Sequence, residues 1–196
     1  MLNQNGIKVL SLFDGMSCEQ IALNRAGIKI KSYHASEIDK YAIMVTQANY
    51  PNTIQLGSIT EWQSWNIEKP DIIIGGFPCQ PYSIAGKRKG LDDKRGGDIL
   101  ECLFLVIEKY QPDYLMLENV IGLLSIDEGN TFKQILKKLN DINYAVDWIK
   151  INSALVSAQN RERIYIIGKR LEICNNLEYE IRLDKDNKRH NQLALF

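Results

Sequence analysis

Short apolar runs alternate along this chain with amphipathic stretches of about ten residues. Ile7 to Phe13 (IKVLSLF) is β-branched and apolar enough to predict a strand, ended by Asp14-Gly15. Ser17 is placed to cap a helix from Cys18 to about Ala26, closed by Gly27. Ile30 to Ser36 predicts a second strand with Glu37 at its end, and Lys40 to Asn49 a second helix stopped by Tyr50-Pro51. Thr53 to Leu56 reads as a short third strand, followed by a turn at Gly57-Ser58-Ile59-Thr60. Trp62 and Trp65 read as packing residues rather than a stacking platform. Asp71-Ile72-Ile73-Ile74 is a short buried strand broken by Gly75-Gly76. Asp98 to Tyr110 carries Ile99, Cys102, Leu103, Val106 and Ile107 at helical spacing. A fifth strand, about Tyr114 to Leu117, ends in Glu118-Asn119-Val120. A helix over Thr131 to Leu139, a strand over Tyr144 to Ile151 and a strand over Ile164 to Ile167, closed by Gly168, complete the pattern. Strands alternating with helices predict an α/β fold on a doubly wound, mostly parallel sheet.

The 196 residues suffice for one domain with a sizeable core, read here as residues 1–168 followed by a short polar tail, 169–196. Within the tail, Leu177 to Leu183 (LEYEIRL) alternates like one exposed strand, and LDKDNKRHNQ is charged enough to be disordered or loosely attached. Net charge is zero, which does not advertise a nucleic-acid binder. Basic residues do cluster locally, at Lys87-Arg88-Lys89, Lys94-Arg95, and Arg161 with Arg163. No run approaches a membrane span and no charged-then-apolar leader opens the chain. Cys18, Cys79, Cys102 and Cys174 lack paired spacing, so they read as reduced thiols of a cytoplasmic protein without metal.

Candidate chemistry centres on Gly75 to Gly86 (GGFPCQPYSIAG). Pro78 and Pro81 fix φ on both sides of Cys79 and remove two backbone donors. A thiol held at the carboxyl end of a central strand lies where open α/β sheets place their ligands. Gly86 to Gly97 (GKRKGLDDKRGG) has no apolar face and suits a linker or a substrate-covering lid. The strand, glycine turn and helix start around Gly15 present backbone N–H groups to a ligand. Glu37 follows Gly15 by 22 residues, the offset of a ribose-binding acid, although spacing alone leaves a solvated strand-end residue equally open.

Phe77-Pro78-Cys79-Gln80-Pro81, following a strand that ends in Gly-Gly, resembles the nucleophile loop of the cytosine-5 DNA methyltransferases. The resemblance extends from about Lys8 to Gly168. Ser11-Leu12-Phe13-Asp14-Gly15 is similar to the family's cofactor turn, Glu118-Asn119-Val120 to the motif whose Glu acts on the base, and Gln159-Asn160-Arg161-Glu162-Arg163 to the motif whose arginines hold the flipped cytosine. The leading Ser-Leu-Phe-Asp-Gly also looks like phage-borne and animal de novo-type members.

Membership implies a Rossmann-like methyltransferase fold, double-stranded DNA as substrate, and S-adenosylmethionine as methyl donor. It implies catalytic roles for Cys79, Glu118, Arg161 and Arg163, and cofactor contacts at Phe13, Asp14, Gly15, Glu37, Ser58, Ile59 and Pro78. It also implies the cytoplasm of a bacterial or phage-infected cell.

Three departures stand out. Ser17, Cys18 and Glu19 occupy positions where the family's turn usually has further glycines, so Glu19 would add like charge near the donor's carboxylate. Ser58 stands where the family commonly has Asp. The family continues well past Gly168, so the expectation is a C-terminally truncated catalytic part completed by a second polypeptide or by self-association. A non-catalytic regulator of a partner methyltransferase and an RNA (tRNA) methyltransferase are the alternatives.

Overall fold

A computed structural model describes residues 5–78 and 99–171. Cys79, the lid-like stretch Gly86 to Gly97 and the tail strand Leu177 to Leu183 therefore lie outside the described residues. Seven strands form one sheet in the order β3-β2-β1-β4-β5-β7-β6. They are β1 Ile7–Leu12, β2 Ile30–Ser36, β3 Ile54–Gln55, β4 Ile72–Gly76, β5 Tyr114–Val120, β6 Tyr144–Asn152 and β7 Glu162–Arg170. The helices are α1 Cys18–Arg25, α2 Lys40–Asn49, α3 Ile99–Tyr110 and α4 Asn130–Asp141. The strands from β1 to β5 pair in parallel, whereas β7 runs antiparallel to both β5 and β6.

β1 is nearly continuously apolar because the sheet is covered on both faces there. Leu10 and Leu12 enter a large core with Ile73, Leu115, Leu117, Leu103 and Ile107. Ile7 and Val9 point the other way, joining Tyr33, Ala35, Ile74 and Leu23 of α1. Each fully buried Leu or Ile contributes about 1.5–3 kcal/mol, so β1 is anchored mainly by side chains on both sides. α3 buries seven residues, among them Leu103, Val106 and Ile107, and carries the main helical share of the larger core.

Several boundaries differ from the sequence expectation, and the reasons are physical. Gly75-Gly76 does not break β4, which continues through both residues. A Cβ at Gly75 would lie 2.8 Å from the Leu12 carbonyl oxygen, so glycine here permits close approach of β1. Gly168 likewise sits inside β7, where a Cβ would come within 3.0 Å of Leu115. β5 runs on through Glu118 and Asn119 to Val120, and β7 begins at Glu162 and extends to Arg170. Lys169 and Arg170, read as the start of the tail, are thus strand residues, and Leu171 N–H donates to the Asn143 carbonyl at 2.9 Å. Ser17 precedes α1 as expected but makes no side-chain cap; it adopts φ 58° and its hydroxyl turns to Asp14. Asp39 caps α2 instead, accepting from Tyr41 and Ala42 N–H.

Gly75→Ala is expected to lower stability by about 1–3 kcal/mol, the range for forcing extra volume into a packed interior. Gly122→Ala, whose Cβ would meet nothing nearer than 4.0 Å, is the control and should change stability by under about 0.5 kcal/mol. Urea unfolding monitored by circular dichroism measures both. Equal costs at the two positions would contradict the close-approach account of Gly75.

Candidate active site

The carboxyl ends of β1, β2, β4 and β5 open onto one edge of the sheet. Because β7 is antiparallel to β5, its first residues lie along the same edge: Val120 pairs with Arg163 and Glu118 with Tyr165. On the other side Glu118 pairs with Gly76. Register alone therefore brings the expected base-directed acid between the start of the proline loop and the arginine motif.

Glu118 Oε1 receives the Arg163 Nε–H at 2.7 Å, with about a quarter of each side chain exposed. At that exposure the pair adds only on the order of 1 kcal/mol to stability, so its consequence is orientation. Arg163 is held from its other end, since an NH1 proton goes to the Glu162 carbonyl at 2.8 Å. Gly76 completes the arrangement: a Cβ there would stand 3.2 Å from Glu118 Oε2. Asn119, buried at 2% exposure, donates from Nδ2 to the Phe77 carbonyl at 2.9 Å. That bond fixes the backbone two residues before Cys79, while Pro78 itself is exposed. Arg161 is exposed and lines an open cleft of about 830 Å³ with Ile121, Asn152, Asn160, Glu162 and Arg163. Tyr165 is shifted upward from its ordinary range by burial, with Glu118 adding to the shift and the two arginines opposing it.

The second half of the site is the turn after β1. Phe13, Gly15 and Ser17 all hold positive φ, at 57°, 57° and 58°. For Phe13 and Ser17 that conformation costs on the order of 1–3 kcal/mol each, so the surroundings must impose it. Asp14 supplies the means: it is 4% exposed and accepts from the Tyr33 hydroxyl at 2.7 Å and from the Ser17 hydroxyl. The Thr46 hydroxyl of α2 lies 3.2 Å from Ser17 Oγ, tying the turn to a second helix. Burial raises the Tyr33 hydroxyl far above its ordinary range, with the Asp14 charge adding to it, so it remains a donor. Glu37 Oε2 accepts the Gly15 N–H at 2.8 Å, and Oε1 accepts from Ile38 and Asp39 N–H at 2.7 and 2.8 Å.

The structure thus brings Phe13, Asp14, Gly15 and Glu37 together. Ser58 stands at the head of the short 3₁₀ turn Ile59–Ser64, its hydroxyl accepting the Thr60 N–H at 3.2 Å, and Ile59 is buried in the main core. A Cβ at Gly15 would meet nothing within 4 Å, leaving open space above a ring of backbone and carboxylate groups. Those groups fit a ligand bearing ribose hydroxyls and a polar base.

Glu19, in the first turn of α1, was read from the sequence only as an unfavourable charge. Its Oε2 is wholly buried and has no hydrogen-bond partner. Desolvation pushes its carboxyl up to about 7, with Asp14 and Glu118 adding to the shift. Gly76, Tyr33 and Thr46 also carry the site without a sequence signal beyond the Gly-Gly pair. Asn119 was legible as part of a motif, but its bond to Phe77 was not. Among the described residues no helix is long and apolar enough to cross a membrane, and no group of three or more His, Cys, Asp or Glu is placed to hold a metal ion.

A mostly parallel, doubly wound sheet with its polar groups gathered at the carboxyl edge is a Rossmann-like arrangement, and solved methyltransferase structures share it. A putative DNA modification methyltransferase encoded within an E. coli prophage superposes with TM-score 0.67 at 23% identity, over 87% of this chain and 49% of that one. A Spodoptera frugiperda DNMT2 variant gives TM-score 0.65, also at 23% identity, over 92% and 54%. The family model for C-5 cytosine-specific DNA methylase matches residues 7–194, and the chain belongs to that family. Its relatives include the orphan methyltransferase M.Rho11sI of Bacillus phage rho11s, 36% identical over 96% of this chain. The type II methyltransferase M1.ScrFI of Lactococcus lactis subsp. cremoris is 39% identical over 89%. The chain spans 39% and 44% of the lengths of these two relatives.

Asn119→Ala should cost about 1–3 kcal/mol, because the Phe77 carbonyl loses its buried donor; urea unfolding tests it, and an unchanged midpoint would leave that bond without consequence. A carboxyl raised in the folded state holds extra protons there, so its stabilisation is full below the ordinary 4.5 and lost as pH rises through about 7. Glu19→Gln should therefore gain stability relative to wild type as pH rises from 4.5 to 7, measured by denaturant midpoints. Parallel pH profiles for the two proteins would place the Glu19 carboxyl in water.

Proposed function

We propose that this chain is the catalytic part of an enzyme that transfers a methyl group from S-adenosylmethionine to carbon-5 of cytosine in DNA, through a covalent Cys79 adduct. The observation that carries this reading is Glu118. It is paired to Arg163 at 2.7 Å and in register with Gly76, three residues before the thiol.

Carbon-5 of cytosine is a poor nucleophile. Addition of the Cys79 thiolate to carbon-6 makes carbon-5 enamine-like, and Glu118 stabilises the developing charge by hydrogen-bonding the ring at N3. The donor, when bound, supplies an electrophilic methyl group. Loss of the carbon-5 proton to solvent and expulsion of the thiolate then restore the ring. Arg163 keeps the Glu118 carboxyl aimed across the edge of the sheet, and Arg161 lines the adjacent cleft, where a base swung out of the duplex can be held. Phe13, Asp14, Gly15, Glu37, Ser58, Ile59 and Pro78 form or support the donor's binding surface. Asp14 acts by holding the turn, because its oxygens are engaged by Tyr33 and Ser17.

Target recognition is proposed to need a partner polypeptide or a second copy. Phosphate neutralisation supplies most DNA affinity, and sequence is read separately at base edges. A chain of zero net charge offers limited means for the first. A DNA substrate, together with relatives from a phage and a bacterium, supports placement in the cytoplasm of a bacterial or phage-infected cell.

Duplex DNA containing 5-fluorocytosine should trap a covalent adduct in the presence of the donor, because fluorine cannot leave as a proton. Cys79→Ser should abolish trapping, and Glu118→Gln should slow adduct formation by roughly 10²-fold or more. Donor binding without any adduct would favour the non-catalytic regulator, and an adduct with RNA alone would move the substrate class. An adduct that survives Cys79→Ser would place the nucleophile elsewhere.

A further inference from the structure

Glu19 has no role in the chemistry above, yet its carboxyl is coupled to an acid in each half of the site, Asp14 and Glu118. It sits in the first turn of α1, two residues past Ser17, whose hydroxyl is held by Asp14. Its Oε2 is sealed from water and unpartnered. Burial raises its carboxyl most, its own backbone N–H opposes the shift, and two acids from other elements, Asp14 after β1 and Glu118 at the end of β5, add to it. Both are already engaged: Asp14 by Tyr33 and Ser17, Glu118 by Arg163. Two phenols, Tyr33 of β2 and Tyr165 of β7, also feel its charge. Arg163 pairs with Glu118, and Arg163 and Arg161 both act on Tyr165. Among the described residues, the charges that shift Glu19 are both acidic.

A buried carboxyl without a counter-charge stays protonated, since ionising it unpaired is costly. That state ends when a positive charge arrives beside it. Between the methyl donor and its product, adenosine, α-ammonium and carboxylate are unchanged, and only the sulfonium becomes a neutral thioether. A carboxylate beside the donor can read that difference.

We propose that Glu19 is a specificity-determining residue that favours the cationic donor over its neutral product, ionising against the donor's positive charge and releasing its proton to solvent. This rests on the donor assignment made above. It also inverts the expectation that an acid at this position only repels the donor's carboxylate. A neutral Glu19 in the empty site removes that repulsion, and an ionised one in the donor complex offsets it with attraction to the sulfonium.

Titration calorimetry of the full chain with S-adenosylmethionine and S-adenosylhomocysteine, at pH 6 and pH 8 and in two buffers of different ionisation heat, tests this. For wild type, the preference for donor over product should rise about tenfold across that interval. On the order of one proton should be released per donor bound at pH 6. Glu19→Gln should bind both ligands with a nearly constant preference; the ligands' own titration is common to both proteins and cancels between them. Equal pH slopes in wild type and Glu19→Gln would overturn the proposal. So would a preference that falls with pH, because ionisation of Glu19 would then disfavour the cationic ligand. If Glu19→Gln does not fold, the wild-type proton count decides, and zero release is the overturning result. Binding of neither ligand removes the donor assignment itself, whereas binding of both without charge preference removes only the role of Glu19.

Discussion

Arg163 reaches Glu118 because β7 returns antiparallel beside β5, and most of the site follows from that pairing. The two side chains project from neighbouring strands on the same face, so the ion pair forms without a long excursion of either chain. With a quarter of each exposed, it adds little to stability. Its consequence is directional. A carboxylate proposed to meet a ring nitrogen cannot sample many rotamers, and the guanidinium removes that freedom. Gly76 on the opposite side leaves the space the carboxylate occupies, so the acid is defined from both neighbouring strands.

The turn after β1 is held by a different economy. Its left-handed residues are unfavourable individually, and two of them, Phe13 and Ser17, are not glycine. What holds them is a buried set of polar bonds in which Asp14 is central, Tyr33 and Ser17 are donors, and Thr46 and Glu37 tie in α2 and the end of β2. Every buried donor that finds an acceptor avoids a desolvation penalty of about 1–3 kcal/mol, comparable with the strain it maintains. The backbone shape is set by the chain's own bonds, which lowers the ordering cost of binding a ligand there. Glu19 lies beside this rigid set without joining it, and that isolation is why its charge state is free to respond.

Local pattern determined much of this protein. β-branched runs produced five of the strands within a residue or two; in β1 and β4 this is because burial on both faces demands apolar content. The second helix was legible to the residue, bounded by Asp39 and by Tyr50-Pro51. The motifs around Phe13, Glu118 and Arg163 were legible as types of chemistry, since few residues can accept, donate and pair at those points. Tertiary structure decided the rest. Gly75, Gly76 and Gly168 look like strand breaks in one dimension but are strand interiors, because the need for a missing Cβ arises from a neighbour distant in sequence. The antiparallel return of β7 was invisible for the same reason: strand direction is set by which edge remains to be paired, not by composition. Whether Glu19 repels or responds likewise depended on burial and on the company of Asp14 and Glu118, which only the folded chain assembles.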